Sequence, residues 1–416
     1  MNIKDIVIEA NKAKIKLMGL NGDIKNKALE AVAKNIEKNA DKIYDANKKD
    51  LEIARGMVDN GTLSRATYGR LKLDNNKMRD MIQGIYDVIS LEDPANKVLW
   101  TRELDKGLIL KKVTCPIGVL GIIFEARPDV IAQISSLAIK SGNAVILKGG
   151  KEANNTNAAI FEIITEALDT VEGFPKNAVN LVYSHDDIRE MLDMEGFIDL
   201  IIPRGSNKLV KFIQENTKIP VLGHASGICH IFVDESADFD MVSKICIDAK
   251  TQYPTACNAV ETILVHKNFP YFEKLQEVLK GADIQVIENP EKFDTEYSDT
   301  ILTLKKVANL EGAIEHINTY GSHHTDSIIT QNDDNAKIFM DNVDSAGVFH
   351  NVSTRFSDGF RYGFGAEVGI STNKTHARGP VGLEGLCIYK YKLTGTGQIV
   401  DDYAKGIKTF KHKDII

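Results

Sequence analysis

Between Lys25 and Lys49 the apolar residues Leu29, Val32, Ala33, Ile36, Ala40 and Ile43 recur every three or four positions, with lysines filling the places between them. That period lays the apolar groups along one face of a helix and leaves the charges on the other, so the lysines read as a solvated surface rather than a basic binding patch. The first 95 or so residues share this texture and are predicted helical, with breaks at Gly22, Gly56 and Gly61. From Lys97 the pattern changes. Val98-Leu99-Trp100-Thr101-Arg102 and Leu108-Ile109-Leu110-Lys111-Lys112-Val113 flank Asp105-Lys106-Gly107, which predicts an exposed hairpin.

Short, continuously apolar segments follow, at 117–124, 144–147, 179–182, 198–202 and 220–222. Helix-like segments separate them at about 129–140, 157–169, 186–194 and 206–216. Such alternation predicts a parallel sheet covered on both faces, a doubly wound domain that binds ligands at the carboxyl ends of its strands. A second α/β block runs from about 226 to 380, with strands expected at 228–233, 260–265 and 327–330 and helices at 271–279 and 310–320. Its glycine-rich stretch, 359–365, reads as loop. The segments 386–393 and 398–400, around Gly395-Thr396-Gly397, predict a second hairpin able to pair with the first.

The expected fold class is therefore α/β. A doubly wound parallel-sheet cofactor domain (1–96 and 114–225) joins a second α/β catalytic domain (226–384) and a β-hairpin oligomerisation arm (97–113 and 385–401). Isolated hairpins are marginal in water, so the arm predicts a homo-oligomer, at least a dimer.

A length of 416 residues agrees with two to three domains. The net charge of -7 argues against nucleic acid and anionic membrane surfaces as partners. The longest apolar stretch, 117–124, falls far short of the roughly 20 residues that span a bilayer. Met1-Asn2-Ile3-Lys4-Asp5 does not begin a signal peptide, so a cytoplasmic location is expected. Five cysteines, Cys115, Cys229, Cys246, Cys257 and Cys387, are scattered without a CxxC pair. Neither a disulfide framework nor a metal site is expected.

Cys257 stands out within Tyr253-Pro254-Thr255-Ala256-Cys257-Asn258-Ala259-Val260-Glu261-Thr262. It falls on a turn after a proline loop and just before a predicted strand, where a rigid scaffold can present a nucleophile. A thiol is a few per cent ionised near neutrality and strongly nucleophilic, although a lone cysteine beside a strand is more often a small core residue. The backbone N–H of Cys257 and the side chain of Asn258 are the candidate donors to a developing oxyanion. Asn258 could equally cap its own turn.

This segment resembles the catalytic-cysteine region of the aldehyde dehydrogenase superfamily, and within it the glutamate-5-semialdehyde dehydrogenase branch. The resemblance extends through 117–128, 140–153, Ile202-Pro203-Arg204-Gly205, His224-Ala225-Ser226-Gly227-Ile228-Cys229-His230, Ser353-Thr354-Arg355-Phe356 and His376-Ala377-Arg378-Gly379-Pro380. Tyr253 departs from it, standing where an arginine is expected. The resemblance implies reduction of L-glutamyl 5-phosphate to L-glutamate 5-semialdehyde with NADPH, releasing phosphate, through a thioester on Cys257. It also implies a place in proline biosynthesis and a functional contact with the glutamate 5-kinase that makes the acyl phosphate.

No GxGxxG follows a strand, so the cofactor is expected to bind in the superfamily's own manner. By resemblance, Lys148 reaches the adenosine ribose or its 2′-phosphate, Gly205 and Ser206 face the pyrophosphate, and Glu296 holds the nicotinamide ribose. A lysine merely snorkelling at the surface is the alternative for Lys148. The anionic groups of the substrate call for Arg127, Arg355 and Arg378, each of which could instead serve a structural ion pair. Where oxidising members keep a tryptophan-asparagine pair this chain has Glu125-Ala126-Arg127, and where they keep a water-activating glutamate it has His224. Loss of that base argues for acyl-phosphate chemistry over oxidation to an acid. His224 itself is an acid–base or a structural residue. A different aldehyde or acyl phosphate, a cofactor-free cysteine hydrolase and a silent assembly protein are the competing readings.

Overall fold

The computed structural model describes residues 2–183, 186–224, 226–288 and 290–415. Ala225, quoted above within a motif and as a domain boundary, lies outside them. The chain divides into two compact units, Met1–Gly205 with Phe212–Val221 and Gly382–Ile416, and Ser206–Lys211 with Leu222–Val381.

The first unit begins with helices Ile3–Leu17, Gly22–Lys38, Ala40–Asp59, Arg65–Leu71 and Asn75–Ser90. Side chains of Asn2, Asn21, Ser64 and Asp74 cap four of them by accepting from backbone N–H groups in the first turn. Gly22 opens a helix and Gly61 turns the chain with φ 76°, but Gly56 lies inside Ala40–Asp59 and breaks nothing. One glycine costs a helix about 1 kcal/mol, which the buried Ile43, Asn47, Asp50 and Ala54 on the same helix outweigh.

One sheet of this unit is wholly parallel, in the order Val179–Val182, Ala144–Lys148, Val119–Phe124, Leu200–Arg204. Helices Val130–Ser141 and Asn154–Asp169 connect its strands, so it is doubly wound as expected. The chain steps outward from Val119–Phe124 to Val179–Val182 and then crosses back to Leu200–Arg204. A crevice is therefore placed at the carboxyl ends of Val119–Phe124 and Leu200–Arg204. The strand predicted at 220–222 shrinks to one bridge, Ile201 to Val221. Pro220 has no N–H to extend the ladder and contributes only its carbonyl, 2.9 Å from Ile201 N.

Val98–Asp105 and Leu108–Pro116 form the predicted hairpin, and Cys387–Thr394 pairs antiparallel with the second of them. The second hairpin does not form. Gln398 folds into the turn, accepting from Thr396 N at 2.7 Å and donating to Lys106 O at 3.1 Å. A helix, Val400–Ala404, starts on Asp401 and Asp402, and the returning Lys413–Asp414 instead pairs with Val98–Asp105.

The second unit is built on six parallel strands in the order Gly347–His350, Thr325–Ile329, Cys229–Val233, Val260–His266, Ile301–Val307, Gln285–Ile287. Alternate residues feed opposite faces: Ile231, Val233, Ile263 and Val265 pack into one cluster, and Phe232 and Leu264 into another. Both faces are dry, which is why these strands read as unbroken apolar runs. No helix among the described residues is long and apolar enough to cross a membrane.

Candidate active site

Three loops of the second unit lead into the amino ends of adjacent strands. His224 lies shortly before Cys229–Val233, Cys257 just before Val260–His266, and His324 immediately before Thr325–Ile329. Because those strands are neighbours, residues far apart in sequence meet. One ring nitrogen from each histidine and Cys257 Sγ lie within 4.8 Å of one another. The two imidazoles meet edge to face, with centroids 5.0 Å apart.

Cys257 sits on a pair of consecutive turns, with Ala256 N donating to Tyr253 O at 3.1 Å and Ala259 N to Ala256 O at 2.9 Å. Beneath it passes Gly227, where an added Cβ would stand 2.0 Å from Cys257 O. Cys229 Sγ donates to the same carbonyl at 3.4 Å. The turn is also tied to the segment Thr354–Phe356: Thr354 Oγ1 donates to Asn258 O and Asn258 Nδ2 to Ser357 O, both at 2.7 Å. Among the described residues, the backbone N–H of Cys257 meets no acceptor.

Of the five cysteines only Cys257 is partly exposed. Burial pushes the Cys246 and Cys387 thiols up to about 12 and the Cys229 thiol well above its ordinary value, which leaves them inert. Asn258 is buried, with Nδ2 engaged by Ser357 and Oδ1 unpartnered among the described residues. Its amide does not cap its own turn but ties that turn to the distant Ser357.

The three arginines separate. Arg355 is buried, donates from Nε to Gln252 Oε1 at 2.9 Å, and holds its guanidinium 5.9 Å from the Tyr253 ring. Burial lowers its pKa, as does nearby Arg361, while Cys257 acts in the opposite sense. Its partners Gln252 and Tyr253 lie on the loop that leads to Cys257, which sets Arg355 apart from the other two. Arg378 is paired with Asp344, Nη2 to Oδ1 at 3.0 Å. Arg127, in the first unit, lies 3.5 Å from Asp129 and is half exposed.

Lys148 ends Ala144–Lys148 and is 5% exposed, so it is no surface lysine. Its Nζ donates to Gly149 O at 2.5 Å. Beside Gly149, Asn157 keeps both amide atoms buried and unpartnered among the described residues, a deficit that a bound polar group would relieve. Gly205 and Ser206 follow Leu200–Arg204 and precede helix Asn207–Glu215, and Ser206 Oγ accepts from Leu209 N at 3.4 Å. Glu296 accepts from Asn207 Nδ2 at 2.8 Å, which brings it to that same helix start.

His324 was missed from sequence; only its place in Ser322-His323-His324-Thr325, shortly before the strand expected at 327–330, marked it. Glu261, four residues past the nucleophile, forms a fully buried ion pair with Lys250, Nζ to Oε2 at 2.8 Å. Burial raises the Glu261 carboxyl and lowers the Lys250 ammonium, each opposed by the other's charge.

The pattern of the aldehyde dehydrogenase family matches residues 1–297. The γ-glutamyl phosphate reductase of Brachyspira hyodysenteriae is 58% identical to this chain over 431 residues, covering 100% of both. The chain belongs to the γ-glutamyl phosphate reductase family, within the aldehyde dehydrogenases. The crystal structure of a Thermotoga maritima member of this reductase family superposes with TM-score 0.92 at 37% identity, over 96% of this chain and 100% of that one. An engineered glycolyl-CoA reductase with bound NADP+, 14% identical with TM-score 0.64 over 94% of this chain and 96% of its own, shares the fold. Like its family, the chain is an oxidoreductase that uses a nicotinamide cofactor.

Proposed function

We propose that this enzyme reduces L-glutamyl 5-phosphate to L-glutamate 5-semialdehyde with NADPH, releasing phosphate, as a step of proline biosynthesis. The observation that carries this reading is the half-buried Cys257 thiol on its turn, beside two imidazoles and at the end of the loop whose Gln252 and Tyr253 hold Arg355. The names of the full-length relatives support the substrate.

In this reading a flanking imidazole takes the Cys257 proton, and the thiolate attacks the acyl carbon. The carbonyl oxygen gains negative charge and is met by the backbone N–H of Cys257; one such donor lowers a barrier by roughly 3–4 kcal/mol. Asn258 orients the turn and has a second amide hydrogen for the same oxygen. The carbon–oxygen bond to phosphate breaks and phosphate leaves, with Arg355 the first candidate to hold it and Arg127 and Arg378 the others. The product of this half-reaction is a thioester on Cys257. Reduced nicotinamide, held by Lys148, Gly205, Ser206 and Glu296, supplies hydride chemistry when bound. The Cys257 turn again stabilises the oxyanion, and collapse expels the thiolate and frees the aldehyde.

His224 stands where oxidising relatives keep a glutamate base, and this reading expects phosphate rather than water as the group that exchanges with the thioester. A cysteine hydrolase would have no use for the doubly wound sheet with Lys148 at its end. The exposed Tyr389, Tyr391 and Leu393 on the Cys387–Thr394 strand support an arm that pairs with a second copy. A cytoplasmic location and a functional contact with glutamate 5-kinase belong to the same reading. The test runs the reaction backwards, from glutamate 5-semialdehyde and NADP+. NADPH formation that requires phosphate is expected, and formation independent of phosphate would sink the proposal in favour of simple aldehyde oxidation.

A further inference from the structure

We propose that His224, Cys257 and His324 form a site for a thiophilic divalent cation of the zinc type, and that its occupation silences the enzyme. The ligand atoms, two imidazole nitrogens and a sulfur, lie within 4.8 Å of one another. Two imidazoles and a thiolate are a donor set that zinc prefers over the harder cations. Bond lengths of about 2.0–2.3 Å place tetrahedral ligands roughly 3.5 Å apart, so small side-chain rotations close the site.

The surroundings of the two rings are those of metal ligands. His224 Nδ1 lies 3.0 Å from Ile370 O, which makes that nitrogen the donor and puts the ring's lone pair on Nε2. His324 Nδ1 lies 2.9 Å from Thr325 Oγ1. His324 Nε2 is buried and has no hydrogen-bond partner among the described residues. An imidazole nitrogen held dry and unsatisfied is costly unless something completes it. A cation does so, and the fourth coordination position stays open to water or to an anionic oxygen.

Binding releases the thiol proton to solvent as the metal–sulfur bond forms, with no change in oxidation state. Cys257 is then no longer a free nucleophile. The silencing rests on the thioester reading given above, whereas the binding does not. A donor set drawn from three separate loops leaves no CxxC-type spacing in the sequence.

Co2+ is titrated into the full-length, phosphine-reduced protein and followed by absorbance, without substrate or cofactor. A sulfur-to-cobalt charge-transfer band is expected, with about one proton released per ion, displaced by Zn2+ and lost in Cys257→Ser. His324→Ala and His224→Ala are each expected to weaken the affinity at least about tenfold, as removal of one ligand of three should. Urea unfolding verifies that each variant folds, and either one alone suffices. Zn2+ is also expected to protect Cys257 from alkylation at the concentration that stops turnover. No Cys257-dependent band at millimolar Co2+, or a band that neither histidine substitution weakens, overturns the proposal. An active reductase that binds no ion refutes the metal site alone, and an ion-binding protein with no reductase activity refutes the functional reading alone.

Discussion

A methyl group on Gly227 would stand 2.0 Å from the carbonyl oxygen of Cys257 and 2.5 Å from its Cα. The two backbones pass at a separation only glycine permits, so Gly227 helps set the position of the nucleophile's turn. Gly227→Ala must push the Cys257 turn outward. We expect kcat to fall by at least about tenfold, because displacements near 1 Å at a reacting group cost up to a hundredfold. Steady-state kinetics paired with the rate of Cys257 alkylation checks this. Unchanged values for both would show that the turn yields freely.

Arg355 is held against the loop that leads to Cys257, with Gln252 fixing its Nε and the Tyr253 ring beside its guanidinium. Arg355→Lys keeps a charge and loses the planar fork. Its KM for phosphate in the reverse reaction is expected to rise by one to two orders of magnitude. Arg378→Lys, at a position already committed to Asp344, is expected to change it by less than about threefold, as for a partly exposed ion pair. Equal effects of the two substitutions would remove Arg355's privileged place.

The Lys250–Glu261 pair joins helix Phe239–Thr251 to strand Val260–His266, which follows the nucleophile's turn, with both side chains essentially fully buried. Removing one charge strands the other. Glu261→Gln is expected to cost about 3–5 kcal/mol in urea unfolding, while Lys250→Met combined with Glu261→Leu recovers most of it. A double variant no more stable than the single one contradicts this.

His316 has its pKa lowered to about 3 by burial first, with His230 and Lys305 adding to it. Its folded pKa is below the unfolded value near 6.5, so the unfolded chain binds the extra proton. Stability from this group is complete above about pH 6.5 and is lost as the pH falls toward 3. By pH 5 the loss is about 2 kcal/mol. His316→Gln should show that much less difference between urea unfolding at pH 7 and pH 5. An identical difference in both proteins would rule the group out.

The sequence carried the local physics of this fold well. The period of Leu29, Val32, Ala33 and Ile36 announced a helix, and the dry runs ending at Phe124, Leu147 and Val182 announced buried parallel strands. Gly56 misled because a residue's intrinsic preference is weak against packing, and 398–400 misled because a glutamine side chain took over the turn. Cys257 was legible through its motif. His324 was not: its meeting with Cys257 depends on the strand order that places Thr325–Ile329 beside Cys229–Val233, and order across a sheet is a tertiary fact that no local pattern holds. Arg355 and Arg378 were indistinguishable as residues in motifs until Gln252 and Asp344 appeared as their partners.

The account turns on a covalent bond to one sulfur. Cys257→Ala, assayed from glutamate 5-semialdehyde, NADP+ and phosphate beside direct titration of NADP+ binding, tests it most directly. We predict a loss of kcat of at least about ten-thousandfold, typical for removal of a nucleophile, with NADP+ binding unchanged. Phosphate-dependent turnover within tenfold of the parent enzyme would contradict the account.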